Sequence, residues 1–478
     1  MRGTTDPHIE EAVAATIQQA SWNSLPAEAK DQTVRALMWW TATALEGVTD
    51  PDQRRLMRYA ASRRAEPEAT VLGTALQTSA ELAALLHGRA AKTWEHEDKY
   101  WADESIGPGV AYCVISAAVA AAEARSPVTG QDLGAAVACG VDLVVRMSRL
   151  LGMKFTVGHS TQHPSFILGT YGAAAAAGRI FGLDQERLVN ALGLAHEHAS
   201  GSFQTQIEGR GVALQGGLAA RSGIESARLA EVGMQGPRAS ITGKAGLYAT
   251  HYPHIEVSVD ELLDGLGSGS LITEVAYKAY PCGVAAHPAL DAVRSIRERV
   301  DLSQVDSISV KGPETLLIMA EPVELRRSPQ TPVQAQFSIP WAVSAALRDG
   351  NVTIDHYTAA ALSDPQLRAL AERTTVLMSP QAKGTAVEIR LRDGSMVCSE
   401  PVVFAAGHPN NPLSTDEISL VFLEAANRAG VDEGQARRAL RLLDDLESVT
   451  DVREFTRLLT VSHVDRRLQA PSLAGLEH

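Results

Sequence analysis

The sequence predicts a mainly α-helical protein in which a large all-α domain is interrupted by a smaller α+β domain. Alanine-rich segments of helical length dominate residues 10–265, and alanine is the strongest intrinsic helix former. A Gly/Ser-rich break at residues 265–270 is followed by alternating apolar runs that are typical of strands. The chain then returns to a helical pattern. We therefore expect a helical domain over residues 1–270 and 409–478, with an α+β domain inserted at 271–408.

The helices of the first domain are predicted from their alanine-rich composition. Small side chains let helices approach closely, and no heptad pattern is sustained, so a compact bundle is favoured over a coiled coil. The predicted helices cover residues 109–125, 130–151, 164–181, 185–199 and 214–232.

The inserted domain mixes strands and helices. Residues 305–312 (VDSISVKG) alternate like a strand, and residues 386–402 have the pattern of a hairpin around an Arg-Asp-Gly turn. Thr415 then opens the last helical segment, with two acidic residues in its first turn, where negative charge suits the helix dipole. The helices expected between the strands cover residues 338–347, 355–363 and 364–374.

Composition and charge restrict the class of protein. The 478 residues carry a formal net charge of −13 and are 45% hydrophobic, which is typical of a soluble globular protein. No concentrated excess of Lys and Arg is present, so a nucleic-acid surface is not expected. The apolar stretch at residues 110–122 is too short to cross a bilayer, and the N-terminus lacks the pattern of a secretory signal. A cytoplasmic protein without a membrane partner is therefore expected.

Familiar cofactor and metal motifs are missing from the sequence. The four cysteines show no CxxC spacing, so neither a disulfide framework nor a zinc site is predicted. The sequence also lacks a GxxxxGK[ST] phosphate loop, a GxGxxG turn, a GxSxG elbow and an HExxH helix. Most nucleotide-dependent enzymes and serine hydrolases are thereby disfavoured, and polar clusters in apolar surroundings become the candidates for chemistry.

The first polar cluster is the charged run at residues 94–101 (WEHEDKYW). It is either a solvated loop or the wall of a pocket in which Glu95 or Asp98 acts as a base or orients one. His96 and Lys99 lie in the same run and are candidate substrate contacts. A metal site is less favoured, because no second His/Asp pair at ligand spacing accompanies the run.

The second cluster centres on His163, which precedes Pro164 and an alanine-rich helix. Proline fits the first turn of a helix, so His163 is expected among unsatisfied N–H groups at the positive end of the helix dipole. Such a position binds carboxylates and keeps an imidazole neutral, so that it can act as a base. The alternative is a histidine that only caps the helix.

The third cluster follows the Gly/Ser-rich break. Residues 277–288 (YKAYPCGVAAHP) contain Lys278, Tyr280 and His287 between two prolines. This composition, at the point where one domain meets another, is what a substrate site at a domain interface would have.

The fourth cluster is the glycine-containing segment at residues 204–211 (QTQIEGRG). Arg210 in this segment could bind a carboxylate through two parallel hydrogen bonds, with Gln206 as a further polar contact. A surface loop without a function is the alternative.

Several segments resemble the MmgE/PrpD family, in order and over nearly the whole chain. They are PSFILGTYGAAAAAGRIFGLD, LGLAHEHASG, GGLAARSG, YKAYPCGVAAHPALDAV and AQFSIPWAVSAAL, beginning at residues 164, 192, 216, 277 and 335. The family includes 2-methylcitrate dehydratase, cis-aconitate decarboxylase and iminodisuccinate epimerase. The resemblance implies a homodimer without a cofactor, in which each protomer has a large helical domain and a small α+β lid.

The resemblance also implies roles for five residues. His163 matches the family's histidine before the alanine-rich helix, and Lys278 matches the lysine of its KxYPC stretch. Glu95 and Asp98 match the first and last acidic positions of a DFDD-like motif. His287 matches the histidine of a PCG…H variant. Family activities act on small polycarboxylates, usually with proton transfer at a carbon next to a carboxylate.

Three basic positions of the family are missing from this chain. Gly107 stands where many members have the histidine of an HPG or HPS motif, Val212 where they have a lysine, and Gly283 where decarboxylase-like members have a histidine. Fewer cations imply a substrate less anionic than the family's usual ones. Lys99 and Arg210 would replace only part of the lost charge.

The resulting hypothesis is a lyase or isomerase, independent of a cofactor, that moves a proton next to a carboxylate or carbonyl of a small organic acid. His163 or Lys278 would be the base. Glu95 or Asp98 would orient it, and Tyr280 would donate to the leaving or enolising oxygen. An epimerase of an imino or hydroxy diacid uses the same base chemistry and stays open. So does a family member that has lost this chemistry and binds or templates a ligand.

Overall fold

A computed structural model describes residues 9–102, 105–151 and 161–461. The ends of the predicted first and third domains, residues 1–8 and 462–478, lie outside the described residues. The described chain is rich in helix, as the composition predicts, and has a small mixed sheet in its C-terminal region, as the alternating apolar runs predict. None of the helices in these ranges combines the length and apolar character that crossing a membrane requires.

The first half of the chain is built mainly from helices. Each of the five helices predicted there is present, with ends within about two residues of the predicted ones. The helices are α1 (Ile9–Gln19), α2 (Ala27–Gly47), α3 (Pro51–Ser62), α4 (Ala80–Lys92), α5 (Ala111–Ala124), α6 (Gly130–Arg149), α7 (Pro164–Phe181), α8 (Gln185–His198), α9 (Gln204–Glu208), α10 (Val212–Glu231), α11 (Leu247–His251) and α12 (Val259–Leu263).

The second half contains the longer strands and shorter helices. The helices are α13 (His287–Ile296), α14 (Leu317–Ala320), α15 (Val323–Arg327), α16 (Pro332–Gln336), α17 (Ile339–Asp349), α18 (Ala359–Leu362), α19 (Pro365–Glu372), α20 (Thr415–Ala429), α21 (Glu433–Asp444) and α22 (Arg453–Thr456). The strands of the whole described chain are β1 (Ala69–Thr70), β2 (Gln77–Thr78), β3 (Asp98–Ala102), β4 (Ser105–Ile106), β5 (Val275–Tyr277), β6 (Val305–Gly312), β7 (Thr374–Met378), β8 (Ala386–Leu391) and β9 (Met396–Cys398).

A four-stranded sheet of order β7-β6-β8-β9 organises the second half. Strand β6 runs parallel to β7 and antiparallel to β8, and β8 and β9 form the predicted hairpin. The single helix predicted at residues 355–363 is instead a short 3-10 turn at Ile354–Tyr357 followed by α18. Thr358 divides the two, because its extended backbone interrupts the turn and its side chain caps α18.

The buried apolar side chains form two main clusters. The first contains residues of α1, α2, α4 to α8 and α10 to α12, including Trp39, and also residues of the last helices, including Phe422 and Phe455. Helix α20 accordingly packs against α2. The second cluster contains residues between Tyr280 and Ile389, on the four-stranded sheet and the helices around it. The C-terminal helices thus share a core with the N-terminal ones.

Helices α4 and α10 approach each other so closely that their backbones touch. A Cβ atom added at Gly217 of α10 would lie 2.1 Å from the carbonyl oxygen of Leu85 in α4. Only glycine leaves room for this approach. The contact matters for the site because α4 ends at Lys92, a residue of the charged cluster described next.

Candidate active site

Most of the charged run at residues 94–101 is buried, which removes the solvated-loop alternative. Its second half forms strand β3, which pairs antiparallel with β5, so that Lys99 lies opposite Ala276. Lys278 follows β5 directly. The pairing therefore brings the first and third polar clusters of the sequence together.

Two lysines and two glutamates form a closed set of ion pairs at this place. The Nζ atom of Lys92 contacts Glu95 and lies 2.9 Å from Oε1 of Glu97. The Nζ atom of Lys278 lies 2.8 Å from Oε2 of Glu95 and 2.8 Å from Oε1 of Glu97. Each lysine thus bridges both glutamates. We call these four residues the lysine–glutamate ring.

The ring is almost completely removed from solvent, since its side chains are 4% exposed or less. Buried ions are tolerated when each one is paired, and the ring has no net charge. Burial alone would raise the pKa of Glu97, but the nearby Lys278 and Lys92 outweigh it and hold that pKa well below its usual range. Among the described residues, no donor reaches the second oxygen of Glu97, Oε2.

Glu95 reaches the ring through an unusual backbone conformation. Its φ of +54° lies in the left-handed region, which residues other than glycine rarely occupy. The turn follows the end of α4, where the N–H of Glu95 donates to the carbonyl of Lys92 at 3.3 Å. It returns the chain so that the Glu95 carboxylate contacts both lysines of the ring. Strain of this kind persists only where the surroundings fix it, and it occurs often at functional sites.

Lys99 is the third lysine of the site and does not belong to the ring. Its Nζ atom lies 3.9 Å from Oε1 of Glu97, and its side chain is 14% exposed. Burial lowers the pKa of Lys99 to about 8, and the positive charge of Lys278 acts in the same direction. The site therefore has one cation more than the ring can pair.

Asp98 caps helix α5 instead of joining the ring. Its Oδ2 atom accepts the backbone N–H groups of Val110 at 2.8 Å and Ala111 at 2.7 Å. Its Oδ1 atom accepts the N–H of Tyr112 at 2.8 Å. Burial raises the pKa of Asp98, although these N–H groups oppose the rise. Both oxygens are thus used in fixing β3 against the start of α5.

His163 occupies the predicted place immediately before α7 but does not cap it with its side chain. The imidazole lies between two aromatic rings, with centroids 4.3 Å from Phe166 and 4.5 Å from Phe203. Its exposed fraction is 6%, and its Nδ1 atom has no hydrogen-bond partner among the described residues.

The surroundings of His163 keep its imidazole neutral. Burial lowers its pKa well below the usual value, and the positive charges of Lys92 and Lys99 lower it further. A side-chain hydrogen bond with Gln206 opposes this shift. The structure thus brings the second and fourth polar clusters of the sequence to the same site through His163 and Gln206.

His287 is completely buried. Its ring meets Tyr280 edge to face at 5.2 Å, and burial together with the charge of Lys278 lowers its pKa to about 3. Hydrogen bonds with the backbone of Cys282 and Tyr280 oppose this shift. The hydroxyl of Tyr280 donates to Asp291 and accepts from Arg294 at 2.8 Å.

The remaining predicted contacts lie outside this centre. The Nδ1 atom of His96 is 2.8 Å from Oε2 of Glu46, and its carbonyl accepts the indole N–H of Trp39. Arg210 is exposed, and its backbone N–H donates to the carbonyl of Thr205 at 2.9 Å. His96 is thus bound to the helical core, and Arg210 is not brought to the ring.

Two residues of the site, Lys92 and Glu97, were not predicted from the sequence. Glu97 lies inside the charged run but was not distinguished from its neighbours, and Lys92 precedes that run. The signal for Lys92 was its spacing, because a lysine three and five residues before two glutamates can reach both after a turn. No cluster of three or more His, Cys, Asp or Glu with metal-binding geometry occurs within the described ranges.

The positions of the missing basic residues are filled with uncharged atoms. A Cβ atom added at Gly283 would lie 2.6 Å from Sδ of Met319 and 3.1 Å from the ring of Phe337, so a larger residue does not fit there. Val212 is buried at the start of α10. A Cβ atom added at Gly107 would lie 2.4 Å from the ring of Tyr100.

Fold and site together agree with one class of protein. The MmgE/PrpD N-terminal domain model matches residues 11–259, and the MmgE/PrpD C-terminal domain model matches residues 280–447. The chain belongs to the MmgE/PrpD family, which includes lyases.

Particular relatives align with most of this chain at low identity. Cis-aconitate decarboxylase of Mus musculus is 25% identical over 414 residues, which cover 83% of this chain and 82% of the relative. Cis-aconitate decarboxylase of Homo sapiens is 26% identical over 394 residues, or 79% of each chain. The cis-aconitate decarboxylase-like protein oryM of Aspergillus oryzae is 22% identical over 485 residues, 96% of this chain and 98% of the relative.

Proposed function

We propose that the protein is a lyase of the dehydratase or decarboxylase type that moves a proton next to a carboxylate or carbonyl of a small organic acid, without a cofactor. The observation that carries the proposal is His163, a buried neutral imidazole whose Nδ1 atom has no partner among the described residues. A neutral imidazole beside cationic groups is suited to accept a proton from an acidic C–H bond. The names of the relatives support lyase chemistry.

The other residues have roles that follow from their contacts. Lys278 donates to both Glu95 and Glu97 and is buried, so it holds these two carboxylates in place and does not act as the base. Tyr280 donates its proton to Asp291, and a direct donation to substrate requires that this hydrogen bond exchange. Glu95 orients Lys278, and Asp98 holds β3 in place.

The charge of the site supports a substrate with few carboxylates. The lysine–glutamate ring is neutral as a whole, and Lys99 remains as one cation that can pair with a single carboxylate. Gly283 and Val212 add no charge. A monoanionic acid is therefore favoured over a tricarboxylate.

Proton NMR of the whole protein in deuterated water tests the proposal. We expect loss of a C–H signal or new alkene signals for at least one of lactate, malate, crotonate and cis-aconitate. His163→Ala should lower this rate about 100-fold or more, because general acid–base catalysis contributes roughly 10²–10⁴-fold. The exposed His254 provides a matched control, since His254→Ala should keep the wild-type rate.

The outcomes separate the alternatives. Exchange without elimination or loss of carbon dioxide would favour the epimerase. Thermal stabilisation by an acid that shows no exchange would favour a protein that binds or templates a ligand. Unchanged turnover in His163→Ala would contradict the role given to this residue. The homodimer belongs to the same proposal, and light scattering should give the mass of two chains.

A further inference from the structure

Lys99 differs from the other two lysines of the site in the contacts that its Nζ atom makes. Lys92 and Lys278 each bridge the two glutamates of the ring, at 2.9 Å or less where they contact Glu97. The Nζ atom of Lys99 lies 3.9 Å from the same carboxylate, beyond hydrogen-bond distance. Its side chain is 14% exposed, against 4% and 1% for the other two lysines. Lys99 is thus the lysine of this cluster that a small molecule can reach.

We propose that Lys99 is a nucleophile that forms an imine with the carbonyl group of a 3-oxo carboxylic acid. The inference rests on the proposed function, because it uses the same site and names the substrate class of the lyase. It adds a covalent step that proton transfer by His163 does not require.

The arrangement of charges around Lys99 supports this role. The groups that act on Lys99 are Lys278 and Lys92, which disfavour its ammonium form, and Glu97 and Glu95, which favour it. Since the ring pairs its own charges, Lys99 is a surplus cation in a buried place. A pKa of about 8 leaves roughly one tenth of Lys99 as the free amine at pH 7, against less than one in a thousand for an ordinary lysine. A desolvated lysine beside another cation is a known way to obtain a nucleophilic amine.

The reaction balances with water and the substrate alone. The lone pair of the Lys99 amine attacks the ketone carbon, and the resulting carbinolamine loses water to give an iminium ion. The bond between the carboxylate carbon and C2 of the substrate then breaks, and carbon dioxide leaves. The electron pair of this bond forms the C=C bond of an enamine, because the iminium nitrogen accepts the electrons of the C=N bond. A proton adds to the enamine carbon, and water hydrolyses the iminium to release the ketone and the amine. His163, whose pKa is lowered by the charge of Lys99, is the neighbouring group able to carry these protons.

Reductive trapping tests the proposal with acetoacetate as the probe. The whole protein is treated with acetoacetate and sodium borohydride at pH 7, and peptide mass spectrometry then locates the adduct. We expect labelling of Lys99 at least about tenfold above the exposed Lys244, because the fraction of free amine is much larger at Lys99. The adduct should carry either the reduced acid or, after loss of carbon dioxide, an isopropyl group.

Variants provide the controls. Lys99→Met should abolish the specific adduct, whereas Lys244→Met should leave it unchanged. Lys92→Gln removes a positive neighbour and should raise the pKa of Lys99, so trapping should be slower at pH 7 and should recover at higher pH. A role of Lys99 in folding alone would not produce this shift of the pH profile. Labelling in the wild-type protein remains a test even where a variant fails to fold.

The results separate this proposal from the proposed function. Adducts spread evenly over exposed lysines, or none at Lys99, would overturn the imine, while exchange of C–H protons in deuterated water would leave proton transfer by His163 intact. Specific labelling of Lys99 without any exchange would support the imine and contradict the role of His163.

Discussion

His163 is held neutral by its surroundings, and two other histidines share this property. Burial lowers the pKa of His287 to about 3 and that of His87 to about 4. All three are buried in the interior, and their pKa values lie below that of a histidine in solution. Their common consequence is a dependence of folding on pH.

We predict that the protein loses stability when the pH falls below about 6.5. The folded pKa of each buried histidine lies below its unfolded value, so the unfolded chain takes up protons first. The stability is present above the unfolded pKa and is lost as the pH falls towards the folded one, by about 1.4 kcal/mol per pH unit for each histidine. Urea unfolding at pH 7, 6 and 5 measures this slope. His87→Gln should reduce the slope by one histidine's share, and an unchanged slope would contradict the assignment.

A second prediction concerns a single residue, Glu97, which contacts both lysines of the ring. Glu97→Gln leaves Lys92 and Lys278 with one carboxylate between them in a buried place, so the free energy of unfolding should fall by about 3 kcal/mol. Glu298, which is 83% exposed and pairs with Arg297, provides the control, because Glu298→Gln should change stability by less than about 0.5 kcal/mol. Equal effects in urea unfolding would show that the ring is not a buried network.

Among the elements, α4 and α10 determine where Lys92 lies. Gly217→Ala would place a methyl group against the carbonyl oxygen of Leu85, so the two helices must separate. We predict a loss of about 1–3 kcal/mol in the free energy of unfolding. Gly434→Ala, at an exposed position of α21, should instead be neutral or stabilise by up to about 1 kcal/mol. If Gly217→Ala melts like Gly434→Ala, the close approach of the helices is wrong.

The elements also show which parts of the fold the sequence can predict. Helix α7 was predicted with its observed ends, and Pro164 fits its first turn as expected. In the structure the helix ends where Gly182 has a φ of +70°. Strand β6 was likewise predicted over its observed length from its alternation. Strand β3 was not predicted. Its charged residues resemble a surface segment, and their partner strand β5 is distant in the sequence.

Over the whole molecule, the two core clusters predict two regions of independent stability. Phe422→Ala removes a buried ring from the first cluster, and such a change costs about 3–5 kcal/mol. Hydrogen exchange should therefore accelerate in α2 and α20 but not in α17, which belongs to the second cluster. Ile389→Ala in β8 should give the reverse pattern. Acceleration throughout the chain by either variant would show that the two clusters unfold as one.

The candidate site was predictable only in part. His163, Lys278 and Glu95 follow from the family resemblance, and the structure brings them to one site. The spacing of Lys92 before the glutamates is a local signal, but the sharing of Glu97 between Lys92 and Lys278 depends on the pairing of β3 with β5, which are distant in the sequence. Lys99 was predicted as a substrate contact, but only the structure distinguishes it from the other two lysines, because its Nζ atom lies 3.9 Å from Glu97 while theirs lie within 2.9 Å.

The lysine–glutamate ring also has a consequence for the order in which the protein is made. The ribosome adds Glu97 to the growing chain long before it adds Lys278. At about 5–20 residues per second, the time between the two additions is roughly 10–40 s. During that time Lys92 is the local partner of both ring glutamates, since all three belong to one short stretch of chain. Until Lys278 is added, the nascent chain thus has two ring glutamates and one ring lysine, so the lysine–glutamate ring cannot form. Lys278, which follows β5 directly, supplies the missing charge, so the lysine–glutamate ring forms late in translation.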